Sequence, residues 1–347
     1  MTSLDTLGWH ETTELPSGQL PARVSRVHKG GAVVLAEWGE QQVEFGPHIE
    51  LPCVGDFVGL RGLPDNRWEL ATVLPRRTAM VRGGVAQDSL TQVLASNVDV
   101  IFVVEPSSLE GRRGDPNLGR IERLLALAWE SGAMPVVLLT KSDLVGARIG
   151  EIVADVMTAA PGVDVHAISS LTGDGVDTVA GYLGVGRTAA LIGPSGAGKS
   201  TLVNALSGVD VMETQQVRAS DGRGRHTTVH RELIVLDRGG LIIDTPGLRR
   251  IGLAEGGEGL ESVFTDIEDL AQDCRFDDCA HRSEPGCAVI EAIERGDLPQ
   301  RRLDSYFKLL REAEWVASRT DWRLRQERAR QWKTIHKEMR KVYRNRP

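Results

Sequence analysis

The sequence predicts a multidomain chain: an N-terminal β-barrel of the OB-fold type, a central α/β phosphate-loop domain, and a C-terminal, mostly helical domain around a metal site. Three observations carry this. Short β-rich runs alternate with turns from Pro21 to Arg77. An apolar run, a glycine-rich loop and a helix-like run follow one another over residues 189–206. Three cysteines and a histidine crowd between Cys274 and Cys287. The boundaries drawn are a loose polar lead-in over 1–20, the barrel over 21–80, the central domain over 88–255 and the C-terminal domain over 256–347. A length of 347 residues suits two or three domains.

In the barrel, the β runs are Ala22–Val27, Ala32–Glu37, Gln42–Phe45, Asp56–Leu60 and Glu69–Leu74. Gly30-Gly31, Gly46-Pro47, Gly55 and Pro64-Asp65-Asn66 punctuate them. Five short strands in so little chain suit an OB-fold, a barrel that often binds single-stranded nucleic acid. Arg23, Arg26, His28 and Lys29 are compatible with RNA, and equally with a solvated edge strand. Cys53, in apolar surroundings, reads as a small core residue. Residues 76–88 read as a charged, glycine-rich linker.

The central domain opens with Asp99–Val104 as a buried strand. A helix follows with Ile121, Leu124, Leu125 and Ala128 on one face, then a second buried strand over Pro135–Leu139. The decisive stretch is Gly193-Pro194-Ser195-Gly196-Ala197-Gly198-Lys199-Ser200-Thr201. It lies between the apolar run Ala189–Ile192 and the helix-like Leu202–Leu206. Strand, loop and helix together are the context in which this pattern binds phosphate. Glycines let backbone N–H groups curl inward, the helix N-terminus adds partial positive charge, and Lys199 adds a full one. Ser200 is placed to offer a hydroxyl to magnesium.

Thr140-Lys141-Ser142-Asp143 closes the strand over Pro135–Leu139. A carboxylate there can accept from guanine N1–H and the exocyclic amine, while the lysine stem covers a ring face. Adenine lacks that donor pair, leaving the carboxylate unmatched at ~1–3 kcal/mol. Ser169 and Ser170, before Leu171-Thr172-Gly173, resemble a loop that meets guanine O6 with backbone N–H groups. Downstream, Leu241-Ile242-Ile243 leads into Asp244-Thr245-Pro246-Gly247, suited to holding magnesium through water and presenting Gly247 N–H to a γ-phosphate. Glu232–Leu236 and Leu241–Ile243 read as a β-hairpin. Before it lies an arginine-rich loop ending Gly224-Arg225-His226-Thr227-Thr228, in which Thr227 or Thr228 fits a magnesium-ligating switch threonine and His226 is a candidate to position water.

The base-reading stretches precede the phosphate loop, the reverse of the usual order. Domain termini commonly lie close together, so such a circular permutation can preserve a folded site.

Cys274-x4-Cys279-x-His281-x5-Cys287 is a closed Cys3His set, the composition of a structural zinc site. Asp277, Asp278 and Glu284 are nearby alternatives, but thiolates favour zinc over hard cations. The net charge of −7 conceals a basic end: from Arg301 onward there are fifteen Lys and Arg against six Asp and Glu. Tyr306, Leu309, Leu310, Trp315, Trp322 and Trp332 accompany them. Such a tail suits packing on the metal module near Trp315 and RNA contact toward its end. Cysteines grouped with histidine, with no secretory signal or apolar span, point to a reducing cytoplasm and no membrane partner.

Taken together, the barrel, the permuted motifs at 140–143, 193–201, 224–228 and 244–247, and the cysteine–histidine cluster resemble the RsgA family of bacterial small-ribosomal-subunit-dependent GTPases. The resemblance implies GTP hydrolysis with Mg2+, one structural Zn2+, and the small ribosomal subunit and its rRNA as partners in late assembly. Leu248 stands where many GTPases carry a water-orienting glutamine. This implies slow turnover alone, stimulated by the subunit. The chain is expected to act as a monomer. A phosphate-loop ATPase and a nucleotide-gated RNA-binding factor with little catalysis are the rival readings.

Overall fold

The computed structural model describes residues 3–9, 14–82, 92–107, 116–212, 231–244 and 258–320. The chain divides into two compact units, Met1–Val81 with Val93–Ile251, and Arg82–Gln92 with Gly252–Pro347.

Within the first unit, β1 (Leu20–His28), β2 (Gly31–Ala36), β3 (Gly39–Phe45), β4 (Phe57–Gly62) and β5 (Trp68–Val73) close a barrel in the order β1-β2-β3-β5-β4. Only the β3–β5 pair is parallel. Each strand alternates its faces, so Ala22 and Val24 of β1 join Ala32, Val34, Val43, Val58, Leu60 and Leu70 in the interior. The alternate β1 residues, Arg23 and Ser25, are also buried, but outside the barrel. Arg23 donates from Nε to the Gly55 carbonyl (3.2 Å), from Nη1 to Leu7 (2.7 Å) and from Nη2 to Asn97 (3.0 Å). Its guanidinium lies 4.6 Å from the Phe57 ring centroid. Burial pulls its pKa down to about 9, so it stays a cation at neutral pH. The Ser25 hydroxyl donates to the Leu233 carbonyl at 3.3 Å.

Two expectations change here. Arg23 is a buried brace and is not available to RNA. The lead-in is not loose where it is described: Leu7 is buried, and Trp9 meets Phe57 edge-on at 5.5 Å. Gly55 shows how close the barrel comes to the neighbouring sheet. Its φ is 95°, and a Cβ there would lie 2.2 Å from the Ser96 carbonyl oxygen. Beside it, buried Asp56 accepts from Cys53 N–H (2.8 Å), Ser96 Oγ (2.6 Å) and Arg76 Nε and Nη2 (2.8 and 2.9 Å). Cys53 is a core residue as expected, its thiol pushed up to about 12 by burial. Part of the expected linker forms β6 (Ala79–Arg82), which pairs with β7 (Gln92–Ser96).

A six-stranded sheet follows, from β8 (Val100–Pro106), β9 (Met134–Thr140), β10 (Asp164–Ala167), β11 (Thr188–Ile192), β12 (Glu232–Val235) and β13 (Leu241–Asp244). Its order is β10-β9-β8-β11-β13-β12, parallel throughout except for the β12–β13 hairpin. The apolar runs Ile101–Val104 and Val136–Leu139 are buried on both faces, as parallel strands between helices require. Helices α1 (Leu118–Glu130), α2 (Ile149–Ala159), α3 (Val176–Ala180) and α4 (Lys199–Ser207) connect them. The α1 residues Ile121, Leu124, Leu125 and Ala128 are all buried, and the Asn117 side chain caps the helix by accepting from Arg120 N–H at 2.9 Å.

The second unit contains α5 (Glu258–Val263), α6 (Thr265–Ala271), α7 (Ala288–Arg295) and α8 (Gln300–Thr320). Buried Arg302 of α8 forks onto Asp266 (2.8 and 2.9 Å) and lies 4.4 Å from the Phe264 ring centroid. Tyr306 donates to Glu268 at 2.8 Å. Leu303 and Leu309 are buried, but Trp315 is 53% exposed, contrary to its expected packing role. Trp322 and Trp332 lie outside the described residues.

Candidate nucleotide and metal sites

Strands β8, β9, β10, β11 and β13 all end at the same C-terminal edge of the sheet. Strand order reverses about β8 and β11, which is where ligands sit in open α/β sheets. At this edge the glycine-rich loop Gly193–Gly198 runs from β11 into α4. Its first glycine is required: Gly193 has φ 153°, and an added Cβ would stand 2.1 Å from the Val104 carbonyl oxygen. Gly196 (φ 78°) and Gly198 (φ 87°) hold left-handed turns that bring the loop round onto the helix. Lys199 begins α4, and its ammonium donates to the Gly193 and Pro194 carbonyls at 2.9 and 2.7 Å. The lysine thus arches back along its own loop. Ser200 and Thr201 occupy the first helical turn, where backbone N–H groups lack helical partners and favour an anion.

Thr140 ends β9 and is 2% exposed. Its hydroxyl donates to the Ala197 carbonyl at 2.6 Å, and its own carbonyl accepts from Ser107 N–H at 2.8 Å. The residue expected only to begin a base-reading loop therefore fastens that loop to the phosphate loop, 57 residues away. Lys141 follows with φ 58°, a left-handed conformation costly for a lysine, and turns the chain into the short 3-10 segment Ser142–Leu144 that carries exposed Asp143. Ser142 N–H donates to the Ile168 carbonyl at 3.1 Å, which joins the loop after β9 to the loop after β10. There Ser169 is buried and Ser170 is half-buried. Asp244 ends β13, beside β11, on the same edge of the sheet. Gly247 and Leu248, together with His226, Thr227 and Thr228, lie outside the described residues.

Glu105 had no part in the sequence reading. Its carboxylate, almost wholly buried at the end of β8, accepts from Asn117 N–H (3.0 Å) and Arg120 Nε (2.9 Å), and also pairs with Arg120 Nη2. It anchors the start of α1 to the end of β8. The signal was present: a carboxylate directly after the apolar run Val100–Val104 needs a partner.

In the second unit the ligand atoms of Cys274, Cys279, His281 and Cys287 all lie within 4.8 Å of one another. The Cys274 and Cys287 sulfurs stand 3.6 and 3.4 Å from His281 Nδ1 and 3.9 Å from each other. Three thiols and an imidazole converging on one point can hold a single metal ion. His281 takes φ 52° to reach it. Glu284, the carboxylate alternative, instead accepts from Arg282 and Ser283 N–H (2.8 and 3.0 Å), and those hydrogen bonds hold its pKa at about 2. Neither it nor Asp277 or Asp278 belongs to the group.

Residues 73–254 match the RsgA GTPase family profile. The small ribosomal subunit biogenesis GTPase RsgA of Streptomyces avermitilis is 49% identical over 323 residues, covering 91% of this chain and 85% of that protein. Its namesake from Methanosarcina acetivorans is 40% identical, covering 96% and 92%. The crystal structure of YjeQ from Thermotoga maritima superimposes with a TM-score of 0.63 at 25% identity, covering 85% of this chain and 98% of that one. YloQ, a circularly permuted GTPase, gives 0.61 at 24% identity, covering 87% and 98%, a likeness of fold. Among the described residues, no helix is long and apolar enough to cross a membrane. The ATPase alternative therefore falls away: a barrel, an α/β sheet with its phosphate loop late in the chain, and matches of this extent place the chain in the RsgA GTPase family, as a GTP hydrolase.

Proposed function

We propose that this chain serves small-ribosomal-subunit biogenesis by hydrolysing GTP at the edge of the sheet where the Thr140–Asp143 and Gly193–Thr201 loops meet. The hydrogen bond from Thr140 to Ala197 carries the reading, because it holds the base-reading loop and the phosphate loop at a fixed separation. Asp143 accepts from the guanine edge, with the Ser169 and Ser170 backbone at O6. The amides of Gly193–Gly198 and the Lys199 ammonium hold the β- and γ-phosphates. Water attacks the γ-phosphorus in line as the bond to the β–γ bridging oxygen breaks, GDP leaves with that oxygen, the water's proton goes to the phosphate released, and Lys199 offsets the charge that develops. Ser200 and Thr227 or Thr228 would hold magnesium, with Asp244 contributing through water; the ion neutralises phosphate charge when bound. Gly247 N–H meets the γ-phosphate.

Leu248, in the position after Gly247, can neither donate to nor accept from water. Turnover alone is therefore slow, and contact with the small subunit and its rRNA completes the arrangement, with His226 positioning the water. The Cys3His cluster holds zinc as a closed structural site, since three thiolates and one imidazole leave no ligand position for substrate. The protein works as a monomer in the cytoplasm. GTP and ATP turnover, measured with and without purified small subunits, tests this. GTP-selective hydrolysis accelerated by the subunit supports it. Flat single-turnover hydrolysis with subunits present leaves only nucleotide-gated RNA binding.

A further inference from the structure

Barrel strand β1 grips the outermost strand of the neighbouring sheet. Its register with β2 slips by one residue between the pairs Val24↔Val34 and Arg26↔Val33, a bulge centred on Ser25. Bulges re-aim the side chains they carry, and here two side chains reach β12. The buried Ser25 hydroxyl donates to the Leu233 carbonyl at 3.3 Å. Arg26 Nε lies 3.5 Å from Glu232 Oε1, while its Nη2 donates to Glu40 Oε1 of the barrel at 3.0 Å. Among the described residues β12 ends the sheet, so its outer backbone groups face no further strand of that sheet. The Ser25 hydroxyl supplies a partner for one of them. The two gripped residues stand directly across the hairpin from the end of β13: Glu232 pairs with Asp244, and Leu233 with Ile243. The barrel meets β13 as well, since a Cβ added at Gly55 would stand 3.0 Å from Ile243 Cδ1. Asp244 is therefore braced from the barrel. Asp143, by contrast, follows β9, which lies three strands from β13 in the sheet order.

We propose that Ser25 and Arg26 are positioning residues for the γ-phosphate end of the nucleotide site, acting through β12 to set where Asp244 stands. This rests on the magnesium-side role proposed for Asp244 above. The base end lies beyond their reach, so removing them weakens nucleotides that carry a γ-phosphate, and only when Mg2+ is present. Ser25→Ala deletes one oxygen and no carbon. It weakens Mg2+-dependent binding of β,γ-imido GTP about five-fold, the value of one hydrogen bond. Adding Arg26→Gln, which removes a half-exposed ion pair, brings the loss to about ten-fold.

The test is titration of the full-length protein with GDP and with β,γ-imido GTP, each in Mg2+ and in EDTA. A loss confined to the imido analogue in Mg2+, with GDP affinity in EDTA unchanged, supports the positioning role. An equal loss in all four titrations overturns it, by giving the seam a part in general packing alone. Wild-type affinity throughout in the Ser25→Ala/Arg26→Gln protein overturns it too. Asp244→Asn separates the two roles. If it abolishes the affinity that Mg2+ adds for the imido analogue, while Ser25→Ala/Arg26→Gln leaves that gain intact, the positioning role alone is lost. If Asp244→Asn leaves the gain intact, the part assigned to Asp244 is lost, and the positioning role with it.

Discussion

Replacing Thr140 by valine removes one hydroxyl and keeps the shape of a buried side chain, so its effect isolates a single hydrogen bond. That bond runs 2.6 Å to the Ala197 carbonyl, in the middle of the phosphate loop. Both residues are buried, so the carbonyl loses its donor where water has little access. Such a loss costs about 1–3 kcal/mol. The β-branched outline is retained and no cavity opens, so no further packing cost is expected. The cost divides between stability of the free protein and affinity for nucleotide, because the bond both braces the sheet edge and fixes the distance between the two loops. Urea unfolding and GDP titration of Thr140→Val should therefore show losses that sum to about 1–3 kcal/mol. Thr140→Ser, which keeps the hydroxyl, should recover most of it. If Thr140→Val matches wild type in both measurements, the bond does not couple the loops and the reasoning fails.

Arg23→Met keeps the stem but strips the Leu7 and Asn97 carbonyls of their donor and leaves Gly55 with Asn97 Nδ2 alone, a loss of about 3–5 kcal/mol in urea unfolding, since hydrogen bonds to a charged group are worth about 1.5–3 kcal/mol each and partial relaxation recovers some of it. Gly193→Ala drives a methyl to 2.1 Å from the Val104 carbonyl oxygen and should abolish GDP binding in a titration that the wild type passes. Chelation, or Cys279→Ser, should release about one zinc per chain by atomic absorption and reduce helical circular dichroism, because such a metal supplies ~10–16 kcal/mol to the segment it closes. Intact helicity after complete metal loss would show that the helices there need no staple.

Much of this fold can be read from the chain because its signals are local. The five barrel runs and the α1 stripe Ile121, Leu124, Leu125 and Ala128 follow from residue periodicity, and all became the expected elements. The convergence of the cysteines and histidine follows from short spacing. What escaped depends on partners distant in sequence. Arg23 sits on the outward face of β1, and on sequence alone it cannot be told from a solvated arginine. Only contact with Leu7 and Asn97 makes it a brace. Trp315 has helical spacing consistent with packing, yet α8 turns Leu303, Leu309 and Ala313 inward instead. Thr140 reads in sequence only as the first residue of a base-reading stretch, whereas its hydroxyl meets Ala197. That bond spans 57 residues and has no local signature.

A crystal structure with GDP and magnesium bound would bear most directly on the whole account. The expected result is one nucleotide lying across the C-terminal edge of the sheet. Its guanine edge would meet the Asp143 carboxylate, and its β-phosphate would rest on the Gly193–Gly198 amides and the Lys199 ammonium. A nucleotide gripped by Lys199 whose base points away from Asp143 would contradict it.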